Sequence, residues 1–431
     1  MIYLLVLLGK VIIFISKTLN IGSGSTWPGH IAVETYKDFI KRELTRNKHL
    51  KIVLIAGTNG KTTTGKLIRT ILEENGNKVF QNEAGANLLN GIASSLIKNS
   101  NLVGNIKFDY AIFEVDENTL SLVLDNLKPR ALVLLNLFRD QLDRYGEVNI
   151  VANKWKESLE KIDIKTSLIL NADDPKIAFL GNNKNNSFYF SVKGESFIQE
   201  HASDSTYCPR CGEKLSYERV TFSHLGNWKC KKCGLKRKKP DIENYESYPL
   251  PGIYNKYNTH AAILTARVLK IGESKIKNYL KKFKPAFGRQ ETIEYNGKNI
   301  QIFLSKNPAS FNQSLQTINE LKAKNVLFVL NDRIPDGLDV SWIWDVDFEN
   351  YFKNFRSVSV SGDRVYDMAL RLQYANNESR ITYHELKIYE DLKEAIGKET
   401  KKLKAKEILY ILPTYSAMLD LRKILTGKKL L

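Results

Sequence analysis

The chain has 431 residues, of which 43% are hydrophobic and 26% are charged, a composition ordinary for a soluble globular protein. That length predicts two or three domains, each with its own core. The formal net charge of +18 would suit a nucleic-acid ligand. The lysines are scattered over most of the chain, however, and a nucleotide substrate or an anionic membrane surface explains the excess equally well. We therefore expect no nucleic-acid partner.

Residues 2–15 are nearly all apolar and are interrupted by Gly9 and Lys10. This run is shorter than the roughly 20 residues that a membrane span needs. It also lacks the charged start and the cleavage site of a secretory signal. We predict a buried helix within a lead-in segment, residues 1–48. The alternative is shallow attachment to a membrane. The chain is expected to be cytoplasmic, with peripheral attachment at the inner face of the membrane as the alternative.

The first strong strand signal, Ile52–Ala56, runs into a glycine-rich turn and then into a helix that ends near Asn75. Such a turn directs backbone N–H groups and the positive end of a helix toward phosphate. The strict phosphate-loop pattern asks for a glycine where Ile55 stands, so a plain strand–helix turn remains an alternative. The sequence predicts a nucleotide-binding loop formed by Gly57, Thr58, Asn59, Gly60, Lys61, Thr62 and Thr63. Lys61 would reach the β- and γ-phosphates of ATP, and the Thr62 hydroxyl would face Mg²⁺.

Strands and helices then alternate along the chain, which predicts a largely parallel, doubly wound α/β sheet. The strand signals lie at residues 78–81, 110–115, 131–135 and 167–170. After a strong helix at 255–269, a second alternation begins near residue 291 and predicts a smaller Rossmann-like α/β domain. Its strands are expected at residues 300–304, 326–330, 357–360 and 408–411. The predicted domains are therefore residues 49–290 and 291–431.

All four cysteines of the chain lie in one stretch, as two C-x-x-C pairs separated by eighteen residues: Cys208, Cys211, Cys230 and Cys233. Two such pairs on facing hairpins supply the four thiolates of a structural zinc site. Gly212 and Gly234 follow the second cysteine of each pair, where the turn favours positive φ. The alternatives are disulfides or redox motifs. We predict a zinc ribbon, residues 195–242, inserted into the first domain.

The short form of the phosphate loop resembles that of the Mur ligase superfamily, and further motifs follow in the family's order. They are Phe113-Glu114-Val115, residues 136–146, Asn171-Ala-Asp-Asp174, Tyr254-Asn255-Lys-Tyr-Asn258 and Phe287-Gly-Arg289. The resemblance implies an ATP-dependent ligase that forms an acyl phosphate. It also implies that Glu114 binds Mg²⁺ together with Thr62, that Asn255 and Asn258 contact adenine, and that Arg289 binds the ATP phosphates.

Two departures set the chain apart from ligases that add an amino acid. Gln141 replaces a metal-binding histidine, and residues 303–308 lack the acid that those enzymes carry. Lys154 lies near the position of their carbamylated lysine, although a solvated helix lysine is the simpler interpretation. A stand-alone ligase of the Mur or folylpolyglutamate type is therefore the alternative function and not the preferred one.

The ribbon and the stretches 331–345, 361–364 and 412–415 resemble the MurT branch of the superfamily. This implies a synthetase subunit, in a heterodimer with a GatD-like glutaminase subunit, that amidates the D-glutamate α-carboxylate of the lipid II stem peptide at the membrane surface. No cysteine outside the ribbon is available to hydrolyse glutamine, so a partner must supply ammonia. The family lends an aspartate to that partner's histidine. The candidates are Asp332, Asp336, Asp339, Asp345 and Asp347, with Asp345 preferred as the catalytic residue and Asp339 second.

Overall fold

The computed structural model describes residues 1–19, 26–82, 85–139, 148–194, 205–286, 288–378 and 386–427. Two six-stranded sheets organise these residues, and a two-stranded hairpin is attached to the first sheet. The predicted α/β class is confirmed, including the parallel first sheet and a second α/β unit at the C-terminal end.

The first sheet is parallel throughout and has the order β2-β3-β1-β4-β5-β6. Its strands are β1 (Lys51–Ala56), β2 (Val79–Gln81), β3 (Tyr110–Val115), β4 (Ala131–Leu134), β5 (Ser167–Asn171) and β6 (Ser187–Phe190). The chain crosses from one side of β1 to the other between β3 and β4. Ligands of doubly wound sheets bind at the carboxyl ends of the strands near such a crossing.

Both faces of this sheet are buried, which is why its strands read as continuous apolar runs. Leu54 faces one core and Val53 the other, because successive side chains alternate across a strand. The helices that follow in the chain are α4 (Lys61–Glu74), α5 (Leu89–Asn99), α6 (Leu120–Asn126), α7 (Val148–Glu160), α8 (Pro175–Leu180), α9 (Ile253–Val268) and α10 (Glu273–Leu280).

Three helices precede the first sheet: α1 (Ile2–Thr18), α2 (Trp27–Thr35) and α3 (Phe39–Arg46). Gly9 lets α1 approach its neighbours, because a Cβ there would lie 2.9 Å from Ile97 and 3.3 Å from Pro28. The predicted N-terminal helix is therefore present, but only one of its faces is buried, and the other is exposed. No helix in the described part of the chain is long and apolar enough to cross a bilayer.

The inserted hairpin consists of β7 (Ser216–Phe222) and β8 (Leu225–Lys229), which pair antiparallel. Residues 195–204 of the expected insertion lie outside the described residues. The hairpin is fastened to the end of β5, where Trp228 is buried and its indole N–H donates to the Ala172 carbonyl at 3.1 Å. Arg237 also pairs with Asp173 at 2.5 Å. The Asn171–Asp174 motif thus anchors the insertion.

The second sheet has the order β13-β12-β11-β14-β10-β9 and is parallel except for the β9–β10 hairpin. Asn296 and Gly297 have positive φ in its two-residue turn, as a type I′ turn requires. The strands are β9 (Arg289–Tyr295), β10 (Lys298–Phe303), β11 (Asn325–Val329), β12 (Ser357–Ser361), β13 (Lys387–Ile388) and β14 (Ile408–Pro413). Its helices are α11 (Pro308–Glu320), α12 (Val365–Glu378), α13 (Leu392–Lys402) and α14 (Tyr415–Thr426).

Candidate active site

The predicted phosphate loop lies between β1 and α4, at the crossing point of the first sheet. Gly60 has φ of 91°, and a Cβ at this residue would lie 2.2 Å from the Asn258 amide oxygen, so only glycine fits. Asn136 holds the loop from the end of β4: its side chain accepts from the Asn59 N–H at 2.9 Å and donates to the Asn59 carbonyl at 3.1 Å. The loop therefore presents the N-terminus of α4 to the cleft.

Lys61, the first residue of α4, is held close to its own loop. Its ammonium group donates to the Gly57 carbonyl at 2.5 Å and pairs with Glu117 at 3.1 Å. Burial alone would raise the pKa of Glu117, but the charges of Lys61 and Lys306 hold that pKa below its ordinary value. The indole N–H of Trp155 donates to the Glu117 carbonyl at 2.7 Å and fixes this turn.

Glu114 lies at the end of β3, beside Thr62 of α4. Its carboxylate accepts from the Thr62 hydroxyl at 2.7 Å and from the Gln81 amide at 2.8 Å. Burial raises the pKa of Glu114, against the opposing hydrogen bond from Thr62 and the charge of Lys61. Burial and the charge of Glu117 likewise raise the pKa of Asp116. A buried carboxylate beside a phosphate-loop hydroxyl supplies the hard oxygen donors that Mg²⁺ prefers, so these residues fit that ion.

The other predicted nucleotide contacts line one cleft between the two sheets. Asn255 and Asn258 lie on α9, and their amide groups are 3.3 Å apart. Arg289 begins β9; burial lowers its pKa, while the nearby charge of Glu114 raises it. The residues that line this cleft include Asn59, Gly60, Thr63, Asn255, Asn258 and Arg289. The structure thus brings these residues together, with Gly57 and Thr58 in the same loop.

The C-terminal unit reaches across this cleft with a cation that the sequence argument did not single out. Lys306 follows β10, and its charge acts on both Glu117 and Asp116. The next residue, Asn307, caps α11 and lies 3.5 Å from the Asn59 side chain. Residues 303–308, which lack the acid of the amino-acid-adding ligases, therefore contribute Lys306 to the site. Glu117 was also missed, although Asp116-Glu117 directly follows β3 in the sequence.

The five candidate aspartates differ in the partners that they have within the chain. Asp336 is buried and accepts from the Ser416 N–H at 2.9 Å, and Asp347 is buried and accepts from the Asn312 amide at 2.7 Å. Asp332 pairs with Arg364 at 3.1 Å, and Asp345 pairs with Arg139 at 3.4 Å. Asp339 is exposed and accepts from the backbone N–H of Ser341 at 2.8 Å. This N–H lowers the pKa of Asp339.

Asp339 borders an exposed apolar patch of the C-terminal unit. Ile334 and Leu338 precede it in the chain, and their side chains are 78% and 66% exposed. Trp344 packs edge-on against Tyr374 of α12 at 5.5 Å. Tyr366, Leu370 and Tyr374 form one stripe along α12 because they are spaced by four residues. We call these six residues the C-terminal apolar surface.

The four cysteines converge, and none is joined in a disulfide. The Sγ atoms of Cys208 and Cys233 are 3.6 Å apart, those of Cys211 and Cys230 are 3.5 Å apart, and all four lie within 4.8 Å of one another. Tetrahedral zinc, with zinc–sulfur bonds of about 2.3 Å, separates its sulfurs by about 3.8 Å. Gly212 and Gly234 have φ of 74° and 72°, as expected. The donor set therefore fits zinc.

Some predicted positions carry no structural statement. Gln141 and Phe287 lie outside the described residues, as does most of the 136–146 motif. Lys154 is exposed on α7 and agrees with the interpretation of a solvated helix lysine.

Comparison with known families matches both parts of this cleft. Residues 55–266 match the Mur ligase middle domain, and residues 304–418 match the family described as MurT ligase C-terminal. The chain is 35% identical to the lipid II isoglutaminyl synthase (glutamine-hydrolyzing) subunit MurT of Staphylococcus aureus (strain COL), over 82% of this chain and 84% of that protein. The chain belongs to the MurT family. The MurT of Streptococcus pneumoniae is 32% identical over 95% of this chain and 94% of its own length.

Solved structures agree on the fold that MurT shares with the Mur ligases. A pseudomurein peptide ligase type C from Methanothermus fervidus matches with a TM-score of 0.65 at 24% identity, covering 88% of this chain and 78% of its own. MurF from Acinetobacter baumannii matches with a TM-score of 0.62 at 16% identity, covering 90% and 78%. At these identities the likeness establishes the architecture alone.

Proposed function

We propose that this chain is the synthetase subunit of a glutamine-hydrolysing lipid II isoglutaminyl synthase and uses ATP to amidate the D-glutamate α-carboxylate of the stem peptide in peptidoglycan synthesis. The observation that carries the proposal is that Arg289 and Lys306 of the second unit act on the acids beside the phosphate loop. The charge of Arg289 acts on Glu114, and the charge of Lys306 acts on Glu117, the partner of Lys61. The names of the MurT relatives support the substrate and the reaction. The stand-alone amino-acid-adding alternative is not favoured by these relatives.

The chemistry follows from the poor leaving ability of a carboxylate oxygen. A carboxylate oxygen attacks the γ-phosphorus of ATP, the bond from that phosphorus to the bridging oxygen breaks, and ADP leaves. The ammonia nitrogen then attacks the acyl carbon, phosphate leaves with the C–O electron pair, and the nitrogen loses a proton to give the amide. Lys61 stabilises the charge on the phosphoryl group in transfer.

The other residues of the cleft position the nucleotide. Asn255 and Asn258 contact adenine, and Arg289 binds the phosphates. Thr62 and Glu114 would hold Mg²⁺, which neutralises phosphate charge when it is bound. Lys61 is paired with Glu117 in the structure, and its role in phosphoryl transfer requires that its ammonium group contact phosphate oxygens. The Lys306 ammonium group would stabilise the negative charge of the acyl phosphate.

A GatD-like glutaminase subunit is proposed as the source of ammonia. Free ammonia is mostly protonated at neutral pH, and the four cysteines of this chain are all in the ribbon, so the hydrolytic cysteine comes from the partner. The C-terminal apolar surface supports this, because exposed apolar patches mark interaction sites. Asp339, at the border of that surface, is favoured over Asp345 to orient the partner's histidine, since Asp345 is engaged by Arg139.

We further propose that Cys208, Cys211, Cys230 and Cys233 bind a structural Zn²⁺ ion. All four positions of a tetrahedral ion would be filled by protein thiolates, which leaves no site for substrate. We also propose that the subunit acts at the inner face of the membrane, where a lipid-linked substrate is available.

The proposal is tested by incubating the chain and its glutaminase with lipid II, ATP and glutamine. Mass spectrometry should detect the small mass decrease of acid-to-amide conversion. Lys61→Ala should reduce the rate by about 100-fold or more, because it removes the cation that stabilises the transferring phosphoryl group. Lys128→Ala is the matched control, since the Lys128 side chain is 81% exposed. Wild-type turnover by Lys61→Ala would refute the assignment.

A further inference from the structure

Helix α1 is apolar on both of its faces, unlike an ordinary surface helix, which carries polar residues on the outside. Leu5, Val6 and Ile13 are buried against the domain. The outer face is equally apolar, and Leu4 and Phe14 are 67% and 70% exposed. The exposed apolar side chains on this helix also include Leu7, Leu8, Val11 and Ile15. A face of this kind needs a covering partner.

The exposed apolar area continues onto two neighbouring segments. Trp27 is 67% exposed at the start of α2, whose next residue, Pro28, lies against Gly9 of α1. On another side, Leu102 and Val103 are 64% and 51% exposed in the turn after α5. Arg46 connects this turn to α1, because its guanidinium lies 4.3 Å from the Tyr3 ring and donates to the Val103 carbonyl. We call the outer face of α1 with Tyr3, Trp27, Leu102 and Val103 the N-terminal apolar surface.

The charges around this surface identify its occupant. Residues 1–50 contain seven basic and three acidic side chains, and α1 itself contains no acid. One of the acids, Glu43, is fully buried and paired with Arg46. Lys10 lies on α1 and donates to the Lys98 carbonyl, so it borders the apolar face with its ammonium group. Lys10 and Arg46 are thus two cations that the structure places at the edge of the apolar area.

A bilayer with anionic headgroups matches this combination better than a second copy of the chain. Apolar side chains enter the acyl boundary while lysine and arginine meet the headgroups. Tyrosine and tryptophan prefer the interface, where Tyr3 and Trp27 would lie. A second copy would instead bring the same cations together across a symmetric interface.

We propose that the N-terminal apolar surface docks the chain on an anionic lipid bilayer, with α1 lying in the plane of the interface. This extends the proposed function, because a lipid-linked substrate is presented at the same surface. The test of docking measures vesicle binding and not amidation. The chain could therefore amidate its substrate without binding vesicles, or bind vesicles without amidating its substrate.

The test is flotation of the full-length chain with vesicles of phosphatidylglycerol and phosphatidylcholine, compared with vesicles of phosphatidylcholine alone. The wild type should float with the anionic vesicles, and salt should weaken this binding. The double substitution Leu7→Glu/Phe14→Glu should lower the bound fraction by about tenfold or more, because two apolar side chains leave the interface. Ile164→Glu is the matched control, since Ile164 is 82% exposed in the turn before β5 and lies outside the surface.

Three results would overturn the docking: no flotation of the wild type, unchanged flotation of the double variant, or equal loss in Ile164→Glu. Light scattering without lipid then shows whether the surface serves self-association. That alternative would be supported if the wild type does not float, is a dimer, and becomes a monomer on double substitution. Circular dichroism and amidation of a lipid-free stem peptide monitor folding. If the glutamates unfold the chain, Leu7→Gln/Phe14→Gln replaces them and the same criteria apply.

Discussion

The site around the phosphate loop concentrates ionisable side chains with few exposed atoms, and the pKa values of its acids move in different directions. Glu114 and Asp116 are pushed toward the neutral form by burial, whereas Lys61 and Lys306 keep Glu117 charged despite its burial. A cluster of this kind costs stability in the empty chain, and binding of the proposed nucleotide and metal ion would offset that cost. Residues selected for the reaction need not suit the empty chain.

Glu114→Gln should therefore stabilise the nucleotide-free chain while it removes activity. Burial raises the pKa of Glu114 in the folded chain above its ordinary value of 4.5. The free energy of unfolding of the wild type therefore falls as the pH rises through the folded-state pKa. Below pH 4.5 the carboxyl is protonated in both states, and this loss is absent. At pH about 8 the variant should unfold about 2–4 °C above the wild type, and the difference should shrink as the pH falls toward 5. Thermal unfolding across pH measures both effects.

The matched control for this substitution is Glu160→Gln, because Glu160 is exposed on α7. It should leave the unfolding temperature within about 1 °C of the wild type at each pH. A Glu114→Gln variant that is less stable than the wild type at pH 8 would show that the hydrogen bonds from Thr62 and Gln81 outweigh burial at this carboxylate.

Residues of the site that lie in one local turn or in a motif of the family could be predicted, whereas contacts that only the fold creates could not. Lys61 and Thr62 belong to one turn whose chemistry can be interpreted locally, and Glu114 ends a clear strand. Lys306 reaches Glu117 only because two domains meet across the cleft. The sequence ranking of Asp345 above Asp339 did not include the Arg139 partner, which becomes visible only in three dimensions.

At the scale of elements, the central strands were predictable because both of their faces are buried and their residues are continuously apolar. The starts and ends of β1, β3 and β5 agree with the expectation to within one residue. β9 has alternating exposed positions, and β13 spans two residues, so neither gave a clear apolar signal. They are the two edge strands of the second sheet, at which tertiary pairing decides whether a strand forms.

If the proposed zinc ribbon binds its ion through all four cysteines, its stability should depend on those ligands. Cys211→Ser should lower the zinc content of the purified chain, and it should lower the unfolding temperature by more than about 5 °C because metal binding contributes to folding. Elemental analysis and thermal unfolding measure the two effects. Lys231→Ala, at an exposed position between Cys230 and Cys233, is the control and should retain both zinc and stability. Full zinc occupancy in Cys211→Ser would contradict a four-thiolate site.

At the scale of the whole molecule, the two sheets contribute to different steps of the proposed reaction. The first holds the phosphate loop and the acids after β3, while the second brings Arg289 and Lys306 to the same cleft. The C-terminal apolar surface lies on the second unit, where the proposed glutaminase would bind. The second unit would therefore contact both the glutaminase, which releases ammonia, and the cleft in which the ammonia is used.

In this arrangement, glutamine hydrolysis and amidation occur at different sites. Asp339→Asn should therefore impair amidation with glutamine and leave amidation with added ammonium intact. A charged carboxylate orients a histidine better than an amide does, so glutamine-dependent turnover of the complex should fall by about 100-fold or more. Turnover with added ammonium salt should remain near the wild-type rate. Asp345→Asn is the matched comparison and should not separate the two activities, because Asp345 is paired with Arg139 inside the chain. If only Asp345→Asn separates them, Asp345 orients the histidine, and its contact with Arg139 must open when the partner binds.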